Sequence, residues 1–406
     1  MMVFYNLGIR LYVLGVRIAS LFNPKAKKWI AGRKQFFKNI SEPKNTVTWF
    51  HCASLGEFEQ GRPIIEAWRE KYPKDFILLT FFSPSGYEVM KDYRFADEVK
   101  YLPADTRTNA RIFISHYQPK TVFFIKYEFW LNYIFEAEKC GANLYSVSAI
   151  FRENQRFFKF YGKPFRKALL KFNHFFVQDA ESKSLLQSIN ITKCTVSGDT
   201  RYDRVFENAH SISPIKKIED WLQGEKAFII GSSWEADENL LASLINDENI
   251  GKIILAPHEV KEQHITFIES TFKKLKTQRY TKTDSINKET QLLIIDCIGI
   301  LSRVYQYGKI AYVGGAFGSG LHNILEPSIF GLPVIFGPKH AKFPEAQLFI
   351  NNGIGFSVNS DLELLNKYQY IHSNLSELQS KTKSFTENQR GAKEIIFNKI
   401  TSNYCN

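Results

Sequence analysis

A carboxylate stands where an apolar run gives way to a helix. Thr46–Cys52 reads as a strand, and the small-residue turn Ala53-Ser54-Leu55-Gly56-Glu57-Phe58-Glu59-Gln60-Gly61 follows it directly. A Glu there meets a ligand at the carboxyl edge of a parallel sheet, where open α/β folds bind substrates. Ser54 and Glu57 also have the spacing of a capping box, in which Glu57 only returns a hydrogen bond to the helix start. The motif alone leaves both roles open. A second carboxylate lies in Lys126-Tyr127-Glu128-Phe129-Trp130, again at a strand end. Large aromatics flank Glu128, so burial would raise its pKa, and two carboxylates on one wall suit proton handling. Pairing with Lys126 is the plainer role for Glu128.

The strongest anion signal is the stretch Tyr312-Val313-Gly314-Gly315-Ala316-Phe317-Gly318-Ser319-Gly320-Leu321-His322-Asn323-Ile324-Leu325-Glu326-Pro327. A strand ends, a glycine-rich turn follows, and a helix is expected to begin at Asn323 or Ser319. The glycines let backbone approach a ligand, and a helix N-terminus offers N–H donors and positive potential to a phosphate. Glu326 can accept hydrogen bonds from ribose hydroxyls, and Pro327 suits a first helical turn. As a dinucleotide fingerprint the stretch fails, because Asn323 stands where the last glycine belongs, and this disfavours a dinucleotide-dependent oxidoreductase. Leu255-Ala256-Pro257-His258 ends another apolar strand in an imidazole, which can bond a base or phosphate or simply face solvent. Gly231-Ser232-Ser233-Trp234-Glu235 offers small, backbone-exposing residues at a further strand end. No HExxH or CxxC spacing occurs, so no metal site is expected.

The elements that position these residues alternate. Strands are expected at Thr46–Cys52, Phe76–Phe82, Glu98–Leu102, Thr121–Lys126, Asn143–Ser148, His174–Gln178 and Cys194–Ser197, with amphipathic helices such as Glu59–Tyr72, Thr106–Tyr117 and Leu131–Cys140 between them. The rhythm pauses near Gly198-Asp199-Thr200-Arg201. It restarts with strands at Ala227–Ile230, Ile253–Ala256, Leu292–Ile295, Ile310–Val313, Pro333–Phe336 and Gly355–Val358. Helices are expected at Glu238–Asn246, Glu262–Leu275, Gly299–Tyr307, Asn323–Phe330 and Glu345–Asn351. Such alternation means βαβ units and parallel sheets. The reading is α/β, with two facing Rossmann-like domains over 39–205 and 206–406 and a junction near 199–215. A ligand is expected in the cleft between them.

A chain of 406 residues exceeds what one core usually serves. Its formal charge of +12 calls for an anionic partner: nucleic acid, an acidic membrane surface or a phosphorylated substrate. The five cysteines (Cys52, Cys140, Cys194, Cys297, Cys405) are scattered and odd in number, which argues for a reducing compartment. Met1–Phe22 is largely apolar, but Arg10 and Arg17 share one helical face and make a clean spanning helix costly. A basic run follows Asn23-Pro24: Lys25, Lys27, Lys28, Arg33, Lys34 and Lys38. Residues 1–38 therefore read as an amphipathic or shallowly inserted anchor with cations for anionic headgroups. An ordinary amphipathic surface helix is the alternative.

Taken together, these motifs resemble the 3-deoxy-D-manno-octulosonic acid (Kdo) transferases of Gram-negative bacteria. The likeness runs over nearly the whole chain. It includes the N-terminal anchor, Ala53-Ser54-Leu55-Gly56-Glu57, Glu128-Phe129-Trp130, Pro257-His258, Ile298-Gly299-Ile300, Val313-Gly314-Gly315, His322-Asn323 and Leu325-Glu326. The resemblance implies a GT-B fold and transfer of Kdo from CMP-Kdo to the lipid A precursor, at the inner face of the inner membrane, with no metal, cofactor or nucleic acid. It also implies that Glu57 is the catalytic base, and that Pro257, His258, Ile298, Gly299, Ile300, Asn323, Ile324, Leu325 and Glu326 bind CMP. Two departures stand out: of the family's Glu-Thr-Glu-Leu-Trp-Pro only Glu128 and Trp130 carry over, and Ile300 replaces a common acidic residue. Two alternatives are another GT-B transferase or an epimerase using a UDP-sugar, and a non-catalytic membrane lipid-binding protein.

Overall fold

The computed structural model describes residues 2–34, 36, 40–126, 128–246, 250–318 and 320–404. Lys38, Tyr127, Ser319 and Cys405 lie outside the described residues. The chain forms two compact units, Met1–Asp203 with Gly391–Asn406, and Arg204–Arg390.

In the first unit the β-branched and aromatic runs become strands β1 (Val47–Cys52), β2 (Phe76–Phe81), β3 (Glu98–Tyr101), β4 (Thr121–Ile125), β5 (Asn143–Ala149), β6 (His174–Val177) and β7 (Cys194–Val196). All pair in parallel, in the order β3-β2-β1-β4-β5-β6-β7. Helices cover both faces, so the central strands carry buried apolar residues on both sides, among them Trp49, Phe50, Phe123 and Phe124. The strand order reverses between β1 and β4, whose register pairs His51 with Phe124. Residues leaving these two strands therefore emerge side by side at the switch point, the ligand-binding place of open α/β sheets.

The second unit holds β8 (Ala227–Ser233), β9 (Ile253–Pro257), β10 (Thr277–Arg279), β11 (Leu292–Ile294), β12 (Gly308–Val313), β13 (Val334–Phe336) and β14 (Gly355–Ser357). These are also parallel, ordered β10-β11-β9-β8-β12-β13-β14, with the switch point between β8 and β12. β10 was not expected from the sequence. It is three residues long at the sheet edge, and a short polar edge strand has no apolar run to announce it.

Three helices complete the first unit's account. A helix, Thr200–His210, occupies the expected junction. The last helix, Ala392–Tyr404, belongs to the first unit and not to the second, where the sequence reading placed it. Its Ile396 and Ile400 enter the core with Trp68, and Asp203 accepts the N–H groups of Gly391 and Lys393 at 2.7 Å each. Periodicity reveals an apolar face but not which sheet covers it. The N-terminal helix Met2–Ala19 rests on the first unit: the Tyr5 hydroxyl donates to Asp105 Oδ2 (2.5 Å) and Asn132 Nδ2 donates to Asn6 Oδ1 (3.0 Å).

Candidate active site

The helix after β1 starts at Leu55, four residues before the expected start, so Glu57 sits in its first turn at the switch point. Gly61, one turn further on, brings this helix close to β4; a Cβ there would lie 3.0 Å from Ile125 Cγ1. Glu57 is only 6% exposed, and its Oε2 accepts the Ala53 N–H at 2.5 Å. Ser54 makes no reciprocal capping bond, so only half of the capping box forms. Glu128 follows β4 on the adjacent strand. Burial raises the Glu57 carboxyl well above its ordinary range, and the Glu128 charge adds to the rise against backbone N–H donation from Ala53. Burial raises Glu128 as well, against a hydrogen bond from Trp130. Two desolvated carboxyls that feel each other resist ionising together, which keeps a proton near the pair at neutral pH.

A neutral imidazole backs this pair. Trp130 Nε1, which can only donate, bonds to His51 Nε2 at 3.1 Å, so the His51 proton resides on Nδ1, facing Thr80 Oγ1 at 2.9 Å. Burial pushes His51 down to about 3, and Glu128 Oε2 lies 3.7 Å from its Nε2, a contact with a neutral ring. Lys126, beside Glu128, adopts φ +67, a left-handed conformation uncommon for a residue with a side chain and concentrated at functional sites.

The raised carboxyls make a stability prediction. Because the folded state holds these protons more tightly than the unfolded chain, their stabilising contribution is complete below the ordinary Glu pKa. It is lost as pH rises through the raised folded values. The melting temperature should fall between about pH 5 and about pH 9, and Glu57→Gln should flatten that fall. An unchanged slope in the variant would show that Glu57 titrates normally.

In the second unit the expected residues gather around β8, β9 and β12. His258 leaves β9 and stacks on both Trp234 (ring centroids 4.6 Å, 27°) and His322 (4.4 Å, 21°). Trp234 Nε1 donates to His322 Nε2 at 3.2 Å. Burial lowers His322, with the neighbouring His258 adding to it. The buried Asp237 joins this platform to the glycine turn: its Oδ2 accepts N–H from Trp234 and Gly315, each at 3.0 Å, and its Oδ1 accepts the Tyr312 hydroxyl at 2.8 Å. Gly315 has φ +94, and a Cβ there would lie 2.4 Å from the Gly320 carbonyl oxygen, so this turn needs glycine. Asn323 Oδ1 accepts the Leu325 N–H (3.0 Å), and its Nδ2 donates to Glu326 Oε1 (3.1 Å). Burial raises Glu326, against that bond and the charge of Arg204. Ile298 is exposed, and Gly299, at φ +95 in open space, presents bare backbone.

One expectation needs correction. The helix is a single turn, Leu325–Ser328, not Asn323–Phe330. Asn323 stands before it and Ile324 begins it, and so few aligned peptides add up to little dipole. The N–H groups of Gly314, Gly315, Gly318 and Gly320 are already donated, to the Gly231 carbonyl, Asp237 and the Gly315 carbonyl, so the amide of Asn323 is the donor that stands before this helix. Ile300 starts another one-turn helix, Leu301–Val304, and its side chain packs into the core, consistent with only a backbone contribution. The sequence reading did not single out His51, Thr80, Asp237 or His322 as site residues. His51 sits inside a strand run like any alternating residue. Asp237 did leave a signal, because it lies three residues after Trp234 at the start of a helix, where a capping carboxylate belongs.

Two all-parallel α/β units of seven strands each define a GT-B protein. The fold is shared with solved UDP-GlcNAc 2-epimerases: that of Neisseria meningitidis has a TM-score of 0.61 at 14% identity over 88% of this chain and all of that one. A putative one from Listeria monocytogenes has a TM-score of 0.58 at 11% identity over 89% of this chain and 97% of that one. Within that class, residues 29–204 match the family model described as 3-deoxy-D-manno-octulosonic-acid transferase (kdotransferase). Similar curated proteins include the 3-deoxy-D-manno-octulosonic acid transferase of Aquifex aeolicus, 28% identical over 86% of this chain and 93% of that protein. The Haemophilus influenzae protein of that name is 28% identical over 81% of this chain and 79% of its own length. Residues 29–204 thus match the Kdo transferase family, and the alignments with whole transferases run across both units.

Proposed function

We propose that this chain is an inverting glycosyltransferase that moves Kdo from CMP-Kdo to the lipid A precursor, lipid IVA, at the cytoplasmic face of the inner membrane. The observation that carries this reading is the buried Glu57 beside Glu128, at the switch point of the unit that bears the Kdo transferase domain. In the reaction an acceptor hydroxyl gives its proton to Glu57 as its oxygen attacks the anomeric carbon of Kdo. The bond to the CMP phosphate oxygen breaks as the new glycosidic bond forms on the opposite face. The protein's task is to position both partners and to stabilise the phosphate charge. Asn323, standing before the one-turn helix Leu325–Ser328, donates its amide N–H to that charge. Glu326 binds the ribose, and the ring cluster of Trp234, His258 and His322 supplies aromatic surface suited to the base. No cofactor takes part in this scheme.

The deciding experiment is incubation of full-length protein with CMP-Kdo and tetra-acylated lipid A precursor, followed by mass analysis. The expected result is CMP released with Kdo added to the lipid. The likeness of the fold to UDP-GlcNAc 2-epimerases makes the second reading, UDP-sugar chemistry, worth the parallel assay. UDP-GlcNAc turnover without CMP release would replace this proposal.

A further inference from the structure

The carboxyl edge of the first sheet carries more exposed apolar and cationic side chains than its carboxylate site uses. Along Met2–Ala19, Tyr5, Asn6, Ile9, Val13 and Val16 turn toward the protein, while Val3, Phe4, Leu7, Leu11, Leu14 and Ile18 are exposed. The inner face is tied down by the Tyr5–Asp105 and Asn6–Asn132 hydrogen bonds, and Tyr12 packs edge-on against Trp29 of the next helix at 6.1 Å. A helix held to a folded domain at Tyr5, Asn6 and Tyr12 has protein on that side. Its exposed face can only be covered from one direction.

A second segment continues that face. Residues 152–170 leave the carboxyl end of β5 with six basic residues and one acid, Glu153. At its tip Phe160 is 94% exposed and Tyr161 53% exposed, with the cations Lys159 and Lys163 on either side. Tyr161 and Arg156 line the same apolar groove as Phe4 and Ile9 of the N-terminal helix, about 430 Å³ in volume. The rings of Tyr5 and Phe165 meet at 6.3 Å. The two segments are therefore one continuous surface. An exposed aromatic tip flanked by cations gains nothing in water, whereas at a bilayer the ring enters the acyl boundary and the cations meet anionic headgroups.

We propose that the outer face of Met2–Ala19 and the 152–170 segment, with Phe160 and Tyr161 at its tip, form a single in-plane docking surface for an anionic lipid bilayer. This rests on the membrane location in the proposed function and adds a second insertion point to it. The surface rims the reaction centre. Tyr12 stacks on Phe82 (6.2 Å, 29°) and Phe82 on Trp130 (4.6 Å, 28°), whose indole donates to the His51 that backs Glu128. A lipid-borne acceptor would reach the base without leaving the interface.

The test uses full-length protein and vesicles of phosphatidylethanolamine with phosphatidylglycerol. Phe160→Asp should lower vesicle partitioning roughly tenfold, the scale of one buried aromatic ring, because the ring is exposed and its loss costs the fold nothing. Leu362→Asp, an equally bold change at an exposed position in the other unit, should leave partitioning unchanged. Phe160→Trp should partition like the parent protein and show tryptophan quenching by brominated lipid beyond the parent's own. Unchanged partitioning of Phe160→Asp, or no added quenching in Phe160→Trp, overturns the second insertion point even if the parent protein still pellets with vesicles. A parent protein that does not pellet at any salt overturns the membrane location as well.

Discussion

Glu57→Gln should yield a folded protein whose turnover is lower by roughly 10²–10⁴-fold, the usual worth of a general base. Glutamine keeps the shape of the side chain and an oxygen for the Ala53 N–H, so the first turn of the helix survives. What it loses is the ability to take a proton. If Glu57 served only as a cap, the same change would cost about 1 kcal/mol or less of stability and leave turnover near normal. Melting temperature and kcat measured on the same preparation separate the two, and a stable variant with full activity ends the assignment. The pH profile gives an independent check. A base must be deprotonated to act, and burial together with the Glu128 charge holds Glu57 above its ordinary range. Parent kcat/KM should therefore climb with pH through a region well above the ordinary titration of a glutamate. Removing the neighbouring charge in Glu128→Gln should move that climb to lower pH.

Glu326→Ala should weaken donor binding by about 1–3 kcal/mol, the penalty for leaving sugar hydroxyls without their acceptor. The side chain is prepared for that task. Asn323 holds one of its oxygens, and Arg204 offsets part of the burial that would otherwise favour its protonated form. Acceptor affinity should barely change, because Glu326 belongs to the second unit and the candidate base to the first. Calorimetry with CMP and with a soluble acceptor analogue checks both. Equal losses for the two ligands would point to a disturbed fold, and Glu326→Gln, which keeps the side chain's shape and an oxygen for Asn323, should then recover both.

Much of this protein was readable from local pattern. The boundaries of β1 through β9 fall within a few residues of the apolar runs that announced them, because each strand of a doubly covered parallel sheet must be apolar by itself. Glu57 and Glu128 were recognisable for the same reason, as carboxylates standing just past such runs. The glycine turn was recognisable from its composition. Where the pattern was short or polar the reading failed. β10 is three residues at an edge, and the expected helix Asn323–Phe330 shrinks to one turn, after which Gly331 adopts φ +77.

The pairings were another matter. No spacing in the chain says that β1 lies beside β4, yet that adjacency puts Glu57 and Glu128 within reach of each other's charge and shifts both. His51 looked like one more strand residue until Trp130, far along the chain, closed on its Nε2. Trp234, His258 and His322 come from three separate strand ends and become a stack only when β8, β9 and β12 align. The last helix has an apolar stripe that any sheet face could have covered, and the first unit covers it. Strand identity and strand-end chemistry are set by neighbours in sequence, through burial period and turn chemistry. Proton affinity, ring stacking and helix placement depend on distances between strands, which no stretch of this chain encodes alone.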